Sequence, residues 1–139
     1  MNNLILLRHG KSKFNEQRRF TGFYDAELNL EGEEEAKYAG ELIKKLNINI
    51  DEYFTSELTR ASRTLDIILK ILNKLNVKIN KAWELNERHY GGLTGLNKDE
   101  TIKKIGEEQF KKYRRSWDIA PPPMEEKSEY QILFSPLNG

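Results

Sequence analysis

The sequence predicts an α/β protein with a parallel sheet, and two observations lead to this prediction. Between residues 4 and 79, short segments with strand character alternate with longer segments whose apolar side chains recur at helical spacing. A strand–helix–strand–helix–strand order favours parallel pairing through right-handed crossovers. The first segment ends at Arg8-His9-Gly10, and open α/β sheets bind ligands at the carboxyl edge of the strands. We therefore expect a ligand site near residue 9.

The predicted elements follow in order along the chain. The first is a strand at Leu4–Leu7, followed by a long loop over residues 10–29 with a turn at Thr21-Gly22. Asn29 can cap a helix over residues 31–46, because apolar side chains recur there at helical spacing. The later elements are a strand over 51–56, a helix over 57–75, a strand over 77–79, a polar and aromatic functional loop from Trp83, and one helix or two short helices over 98–116, with Pro121–Pro123 ending regular structure.

Composition excludes several classes of function. The chain has 139 residues, which suits a single domain, and its net charge of +1 creates no global field that favours nucleic acid. It contains no cysteine and two histidines, so we expect no disulfide and no metal centre. The apolar start is too short for a signal peptide, and no segment could span a bilayer. We expect a cytoplasmic protein with no nucleic-acid or membrane partner.

His9 has the features of a nucleophile towards phosphorus. Such a histidine needs one unprotonated ring nitrogen, with the other nitrogen donating to a fixed acceptor. The transferred group carries negative charge, which Arg forks, hydroxyls and backbone N–H groups stabilise. The side chains of the right type for this anion shell are Arg8, Ser12, Asn15 and Arg60. The alternatives are a histidine that merely ends a core strand and an Arg60 that is solvated on its helix.

Glu87 lies in a stretch of residues 85–92 that is polar without an amphipathic pattern. A carboxyl group in a cleft can serve as both acid and base in such a reaction. Lys98 and the Arg114-Arg115 pair could bind a second anionic end of a substrate. The alternatives are an exposed Glu87–Arg88 loop and a solvated helix face at Arg114-Arg115.

These residues stand in motifs that resemble a known family. In chain order the motifs are RHGKSKFN at 8–15, FTG at 20–22, TSELTRA at 55–61, LNERHYGGL at 85–93, GLNK at 95–98 and RRS at 114–116. Together they resemble the bisphosphoglycerate-dependent phosphoglycerate mutases of the histidine phosphatase superfamily. The resemblance covers about residues 3–124, so residues 1–124 are interpreted as the N-terminal part of a catalytic domain and residues 125–139 as a divergent tail.

The resemblance implies a three-layer αβα fold and a role for each matching residue. His9 would carry a phosphoryl group and Glu87 would be the acid and base. The phosphoryl group and substrate would be bound by Arg8, Gly10, Ser12, Asn15, Thr21, Gly22, Arg60, Arg88, His89, Tyr90, Lys98, Arg114 and Arg115. The implied reaction interconverts 2-phosphoglycerate and 3-phosphoglycerate, with 2,3-bisphosphoglycerate as phosphoryl donor and no metal.

The sequence also departs from the family pattern. Lys11, Phe14, Phe23 and Thr94 replace the usual residues, and nothing after Arg115 supplies the family's second active-site histidine. The family's C-terminal strands and helices are missing, which predicts an incomplete sheet and an apolar Leu4–Leu7 segment without its neighbour. The alternatives are a truncated and catalytically impaired mutase fragment, a phosphatase, and a module that binds phosphometabolites. Whichever alternative holds, the chain could form a homo-oligomer or pair with a full-length mutase.

Overall fold

The computed structural model describes residues 2–130 and has the expected α/β architecture. In chain order its elements are α1 (Lys13–Glu16), α2 (Leu30–Leu46), β1 (Tyr53–Thr55), α3 (Thr59–Ile71), β2 (Ile79–Lys81), α4 (Lys98–Ile105) and α5 (Glu107–Arg115). Single 3-10 turns occur at Trp83–Leu85 and Gly91–Leu93. None of the helices formed by residues 2–130 has the length and apolar content that crossing a bilayer requires.

The helix pair α2 and α3 forms the central packing unit. The Oδ1 atom of Asn29 accepts a hydrogen bond of 2.8 Å from the backbone N–H of Gly32, which caps α2 as predicted. Leu28, Ala36 and Ile67 are buried together between the two helices. Gly40 allows close approach, because a Cβ atom there would lie 3.0 Å from the side chain of Ile71. These contacts hold the second half of α3 against α2 and the loop before α2.

β1 and β2 pair in parallel, in agreement with the predicted sheet. Tyr53 is opposite Ile79 and Thr55 is opposite Lys81. β1 is shorter than the predicted segment 51–56, whereas β2 has the length of the predicted segment 77–79 but begins two residues later. A residue belongs to a strand only where it is paired with a neighbouring strand. The first and last residues of β2 are therefore set by its pairing with β1.

The prediction of a strand at Leu4–Leu7 is wrong. Within the part of the chain that the structure describes, this segment pairs with no strand, and β1 forms its ladder with β2. The side chains of Leu4 and Leu6 are 81% and 84% exposed. A strand requires a hydrogen-bonded neighbour, and the segment has none among residues 2–130. The related expectation that this apolar segment is left without a neighbour agrees with the structure.

The second half of the chain packs as two short helices rather than one. Gly106 separates α4 from α5, and its φ of +81° is a conformation that favours glycine. The buried cluster there joins Phe20 from the early loop to Tyr90, Leu93 and Phe110. The loop at residues 10–29, predicted to be irregular, contains α1, which Ser12 caps. Through this cluster the loop at residues 10–29, the 83–93 region and α5 pack against one another.

Candidate active site

His9 follows the unpaired segment and is partly buried. Its Nδ1–H can donate to the carbonyl oxygen of Gly10 at 2.6 Å, which leaves Nε2 with a free lone pair in the neutral ring. Burial lowers the pKa of His9, and the positive charges of Arg60 and Arg8 lower it further, against the opposing effects of the Gly10 carbonyl and Glu87. The lowered pKa favours the neutral imidazole, which is the form that a nucleophilic nitrogen requires.

Arg60 is the most deeply buried cation near His9, with 1% of its side chain exposed. Its guanidinium donates to the carbonyl oxygens of Tyr24 at 2.9 Å and Gly22 at 2.7 Å. The same Nη2 group also donates to Oε2 of Glu87 at 3.0 Å. Burial lowers the pKa of Arg60, while the charge of Glu87 opposes that effect. Three acceptors thus fix this guanidinium in one orientation beside the imidazole.

Glu87 is held by Arg60 while part of its side chain remains open to solvent. The side chain of Glu87 is 39% exposed. Its charge acts on the pKa values of His9, Tyr90 and Lys98. Glu87 is exposed, as the alternative of an exposed Glu87–Arg88 loop expects, but a nearly fully buried guanidinium holds its carboxylate in place.

Asp25 orients the start of α3, a role that the sequence did not reveal. Leu58 occupies the N-cap position and offers no side-chain acceptor. Asp25, in the loop before α2, supplies the acceptors instead. Its two carboxylate oxygens accept from the backbone N–H and the Oγ1 hydroxyl of Thr59, both at 2.6 Å. Because Arg60 is the next residue, this contact fixes the base of the Arg60 side chain. The only sequence signal was an acidic residue close after the Thr21-Gly22 turn.

A cavity of about 310 Å³ opens beside Arg8. Its lining residues are Arg8, Lys11, Asn15, Arg18, Glu35 and Lys98. Four of these six side chains are cationic, so the cavity suits an anion. The Oδ1 atom of Asn15 accepts from the backbone N–H of Ser12 at 3.0 Å, which leaves the amide N–H₂ group as the donor that can face an anion. Sequence reasoning missed Arg18 and Glu35, since neither lies in a matching motif.

Two cations of the cavity are already paired at its rim. Lys11 donates to Glu31 at 2.8 Å, and Arg18 binds Asp99 through two hydrogen bonds of 2.8 and 3.0 Å. Arg8 is an exposed side chain that lines both this cavity and the groove beside His9.

Lys98 lines the cavity with Arg8, whereas Tyr90 and Arg114 line the groove that contains His9. Burial lowers the pKa of Lys98, and the charge of Arg114 contributes to the same shift. Burial raises the pKa of Tyr90, and Glu87 adds to the increase. Arg114 and Arg115, in the last turn of α5, line the groove that also contains His9. The chain therefore collects these predicted cations around the imidazole from four separate elements.

Several predicted substrate ligands make structural contacts instead. Ser12 is fully buried and caps α1, and Thr21 is buried with its hydroxyl directed at the carbonyl of Arg19. Arg88 donates to the carbonyl oxygens of Arg114 and Ser116, both at 3.0 Å. These contacts position the loops around the site and do not place the side chains in the open cavity.

His89 and the two predicted glycines also have structural neighbours. The Nδ1 atom of His89 accepts from the backbone N–H of Gly91 at 2.7 Å, and burial lowers the pKa of this ring. Gly10 touches the backbone of Gly32, where a Cβ atom would collide. Gly22 has a φ of +57° and gives its carbonyl to Arg60. Residues 2–130 contain no group of three or more His, Asp or Glu side chains that could hold a metal ion.

The fold and the site define a class of protein: an α/β protein whose partly buried histidine stands near a buried arginine and a cavity lined mainly by cationic side chains. The sequence model of the histidine phosphatase superfamily (branch 1) matches residues 4–132. The chain belongs to this superfamily.

Curated relatives are similar over nearly the whole chain. A 2,3-bisphosphoglycerate-dependent phosphoglycerate mutase of Caulobacter sp. (strain K31) is 55% identical over 129 residues, which are 93% of this chain and 54% of the relative. Phosphoglycerate mutase 1 of Saccharomyces cerevisiae is 47% identical over 130 residues, which are 94% of this chain and 53% of the relative. The chain thus spans about half the length of the curated relatives it matches.

Solved structures also match the fold of this chain over about half of their own length. The phosphoglycerate mutase of Bacillus anthracis matches with a TM-score of 0.64 and 25% identity, over 77% of this chain and 48% of that chain. YhfR of Bacillus stearothermophilus matches with a TM-score of 0.65 and 27% identity, over 76% of this chain and 50% of that chain. These matches confirm the expected fold class and its incomplete extent.

Proposed function

We propose that this chain carries the phosphoryl-accepting half of a phosphoglycerate mutase, which interconverts 2-phosphoglycerate and 3-phosphoglycerate. The observation that carries the proposal is the His9 ring, whose Nδ1–H is directed at the Gly10 carbonyl and whose neighbours are Arg60 and Glu87. The identity of 47–55% to curated phosphoglycerate mutases supports the choice of substrate.

In the proposed reaction, an N–P bond first forms between Nε2 of His9 and a phosphoryl group of 2,3-bisphosphoglycerate. The O–P bond of the donor breaks at the same time, and the oxygen of the released monophosphoglycerate takes its proton from the Glu87 carboxyl group. The N–P bond then breaks as a hydroxyl oxygen of a monophosphoglycerate forms a new O–P bond, and the hydroxyl proton passes to the carboxylate of Glu87. The bisphosphorylated intermediate reorients and returns its other phosphoryl group to His9, while Glu87 protonates the leaving oxygen. Glu87 thus acts as base and then as acid.

The cations around His9 stabilise the transferred group and orient the substrate in this proposal. Arg60, Arg8 and the Asn15 amide face the charge that develops on the phosphoryl oxygens. Lys98, Tyr90 and the Arg114-Arg115 pair bind the carboxylate and the remote phosphate of the glycerate. Ser12, Thr21, Gly22, Arg88 and His89 support these groups through the contacts described above.

Labelling can test the first step, because the chain has only two histidines. The chain is incubated with phosphorus-labelled 2,3-bisphosphoglycerate, and acid-labile label on protein is measured for the wild type, His9→Asn and His89→Asn. We expect label on the wild type and on His89→Asn, and none on His9→Asn. Equal labelling of His9→Asn and the wild type would refute the nucleophile assignment.

A second measurement addresses turnover. Formation of 2-phosphoglycerate from 3-phosphoglycerate is followed with 2,3-bisphosphoglycerate as primer, with inorganic phosphate release measured in parallel. Mutase activity predicts the isomer without phosphate release, whereas a phosphatase releases phosphate. Label on His9 without either product identifies a catalytically impaired fragment. The absence of cysteine fits a reducing compartment, and we place the proposed reaction in the cytoplasm.

A further inference from the structure

Arg18 in the early loop and Lys98 at the start of α4 are held next to each other by their backbones. The N–H of Lys98 donates to the carbonyl oxygen of Arg18 at 2.8 Å. The adjoining residues, Arg19 and Asn97, form an antiparallel bridge. Both Arg18 and Lys98 line the cavity of about 310 Å³ described above. Pairing of two segments that are distant in the sequence thus brings these two cations to one cavity.

The backbone of Arg18 has an unusual conformation. Its φ of +54° lies in the left-handed region, which a side chain of this size adopts only when the surrounding structure enforces it. Asn47 and Asn73 are the other non-glycine residues between positions 2 and 130 with a positive φ, and asparagine adopts this conformation more readily. A costly conformation at the wall of a cavity is typical of a functional position.

Asp99 orients the guanidinium of Arg18 and leaves most of its donors available. Nε and Nη2 of Arg18 donate to the two carboxylate oxygens at 2.8 and 3.0 Å. This bidentate pair uses two of the five N–H donors of a guanidinium, and the other three have no acceptor among residues 2–130. The side chain of Arg18 is 62% exposed, so a ligand can reach these donors.

The two cations also act on each other electrostatically. Burial lowers the pKa of Lys98 most, and the charge of Arg18 contributes to the same shift. Each cation therefore destabilises the charge of the other, and an anion bound between them reverses this effect. Glu35 is the one acidic residue among the six that line the cavity, so the lining keeps a net positive charge.

We propose that Arg18 is a specificity-determining residue, which binds the carboxylate of a phosphorylated hydroxy acid whose phosphate lies beside Arg8 and His9. The proposal rests on the proposed function, because it concerns the ligand of the same site. The guanidinium edge that Asp99 leaves open can bind a carboxylate through two parallel hydrogen bonds. Arg18 lies between the motifs at 8–15 and 20–22, and the family resemblance gives it no role.

The arrangement of the two concave surfaces determines which end of the ligand Arg18 meets. Arg8 lines both the cavity and the groove that contains His9. Arg18 and Lys98 line the cavity and do not line the groove. A ligand whose phosphate lies beside His9 and Arg8 therefore extends its remote end towards Arg18 and Lys98.

Two matched ligands test the proposal. 3-Phosphoglycerate and glycerol 3-phosphate share a phosphate and a three-carbon chain, but only the first carries a carboxylate. Their dissociation constants are measured by isothermal titration calorimetry for the wild type, Arg18→Asn, Arg18→Lys and Lys13→Asn. Asparagine tolerates the left-handed conformation, so Arg18→Asn removes the guanidinium without adding backbone strain. Lys13 is the control, because it is a cation of the same loop, is paired with Glu27 at 3.0 Å and does not line the cavity.

We expect the wild type to bind 3-phosphoglycerate more tightly than glycerol 3-phosphate. Arg18→Asn should weaken the binding of 3-phosphoglycerate by about tenfold and that of glycerol 3-phosphate by less than about twofold, because charge-assisted hydrogen bonds to the carboxylate are lost. Arg18→Lys keeps the charge and should weaken binding less than Arg18→Asn does. Lys13→Asn should change the affinity for both ligands by less than about twofold.

Three outcomes overturn the proposal. The first is equal weakening of both ligands by Arg18→Asn, which identifies a general effect of charge. The second is the same affinity for 3-phosphoglycerate in Arg18→Asn and Lys13→Asn. The third is a wild type that binds neither ligand or does not distinguish them. None of these measurements requires turnover, and labelling of His9 tests the proposed function separately.

Discussion

Thr64 joins the segment that carries His9 to the helix that carries Arg60, and its substitution by valine tests this connection. The Oγ1 atom accepts from the backbone N–H of Gly10 at 3.1 Å and donates to the carbonyl oxygen of Arg60 at 2.7 Å. The side chain is 3% exposed. Thr64→Val keeps the shape of the side chain and removes both hydrogen bonds.

The chain provides a matched control in Thr101, which is 5% exposed and donates to the carbonyl oxygen of Asn97 at 2.7 Å. That carbonyl keeps its helical bond from the N–H of Thr101 after Thr101→Val. In Thr64→Val, by contrast, the buried N–H of Gly10 loses its acceptor, which costs about 1–3 kcal/mol. The effects of helix propensity and of the added methyl group are the same in both variants.

Urea unfolding measures the difference. We expect the free energy of unfolding to fall by about 1–2 kcal/mol more in Thr64→Val than in Thr101→Val. With a typical slope of about 2 kcal/mol per molar urea, the two midpoints differ by roughly 0.5–1 M. Equal midpoints for the two variants would refute the reasoning, because the Gly10 contact would then contribute nothing.

Three further predictions follow from the same structure. Asp25→Ala removes the cap of α3 and should lower the free energy of unfolding by about 1–2 kcal/mol, measured by urea unfolding; no change would contradict the role of the cap. Gly32→Ala should lower the melting temperature more than Gly40→Ala, because its Cβ meets the Lys11 backbone whereas that of Gly40 meets a movable side chain. The folded-state pKa of His9 lies below its unfolded value of about 6.5, so the folded state binds fewer protons and stability falls as pH drops from about 6.5 towards that folded pKa. His9→Asn should reduce this loss in pH-dependent unfolding, and an unchanged profile would count against it.

Local signals in the sequence predicted α2 well. Asn29 and the spacing of apolar residues gave a helix over 31–46, and the structure has it at Leu30–Leu46. Capping and periodicity depend on neighbours in the chain, so they can be read without tertiary information. The strand prediction at Leu4–Leu7 failed because a strand depends on a partner elsewhere, and residues 2–130 do not provide one.

The composition of the candidate site was partly readable from the sequence. The sequence indicated Arg60 as a side chain suited to an anion shell around His9, and the structure places both residues on one groove. The contacts that orient Arg60 were not readable. Two of its three acceptors are the backbone carbonyl oxygens of Gly22 and Tyr24. Every residue has a backbone carbonyl, so the residue type gives no sign of which one accepts. Asp25 reaches Thr59 across 34 residues, a contact that only the folded chain defines.

The two carbonyl contacts of Arg60 have a consequence for how the chain responds to a ligand. Two of the three acceptors that orient the guanidinium belong to residues 22–24, so opening of that loop would leave Glu87 as its remaining acceptor. An anion that needs the oriented guanidinium binds the closed loop more tightly than the open one. Thermodynamic linkage then requires that anion occupancy and loop closure stabilise each other. Inorganic phosphate should therefore slow amide exchange in this loop even where no phosphoryl transfer takes place.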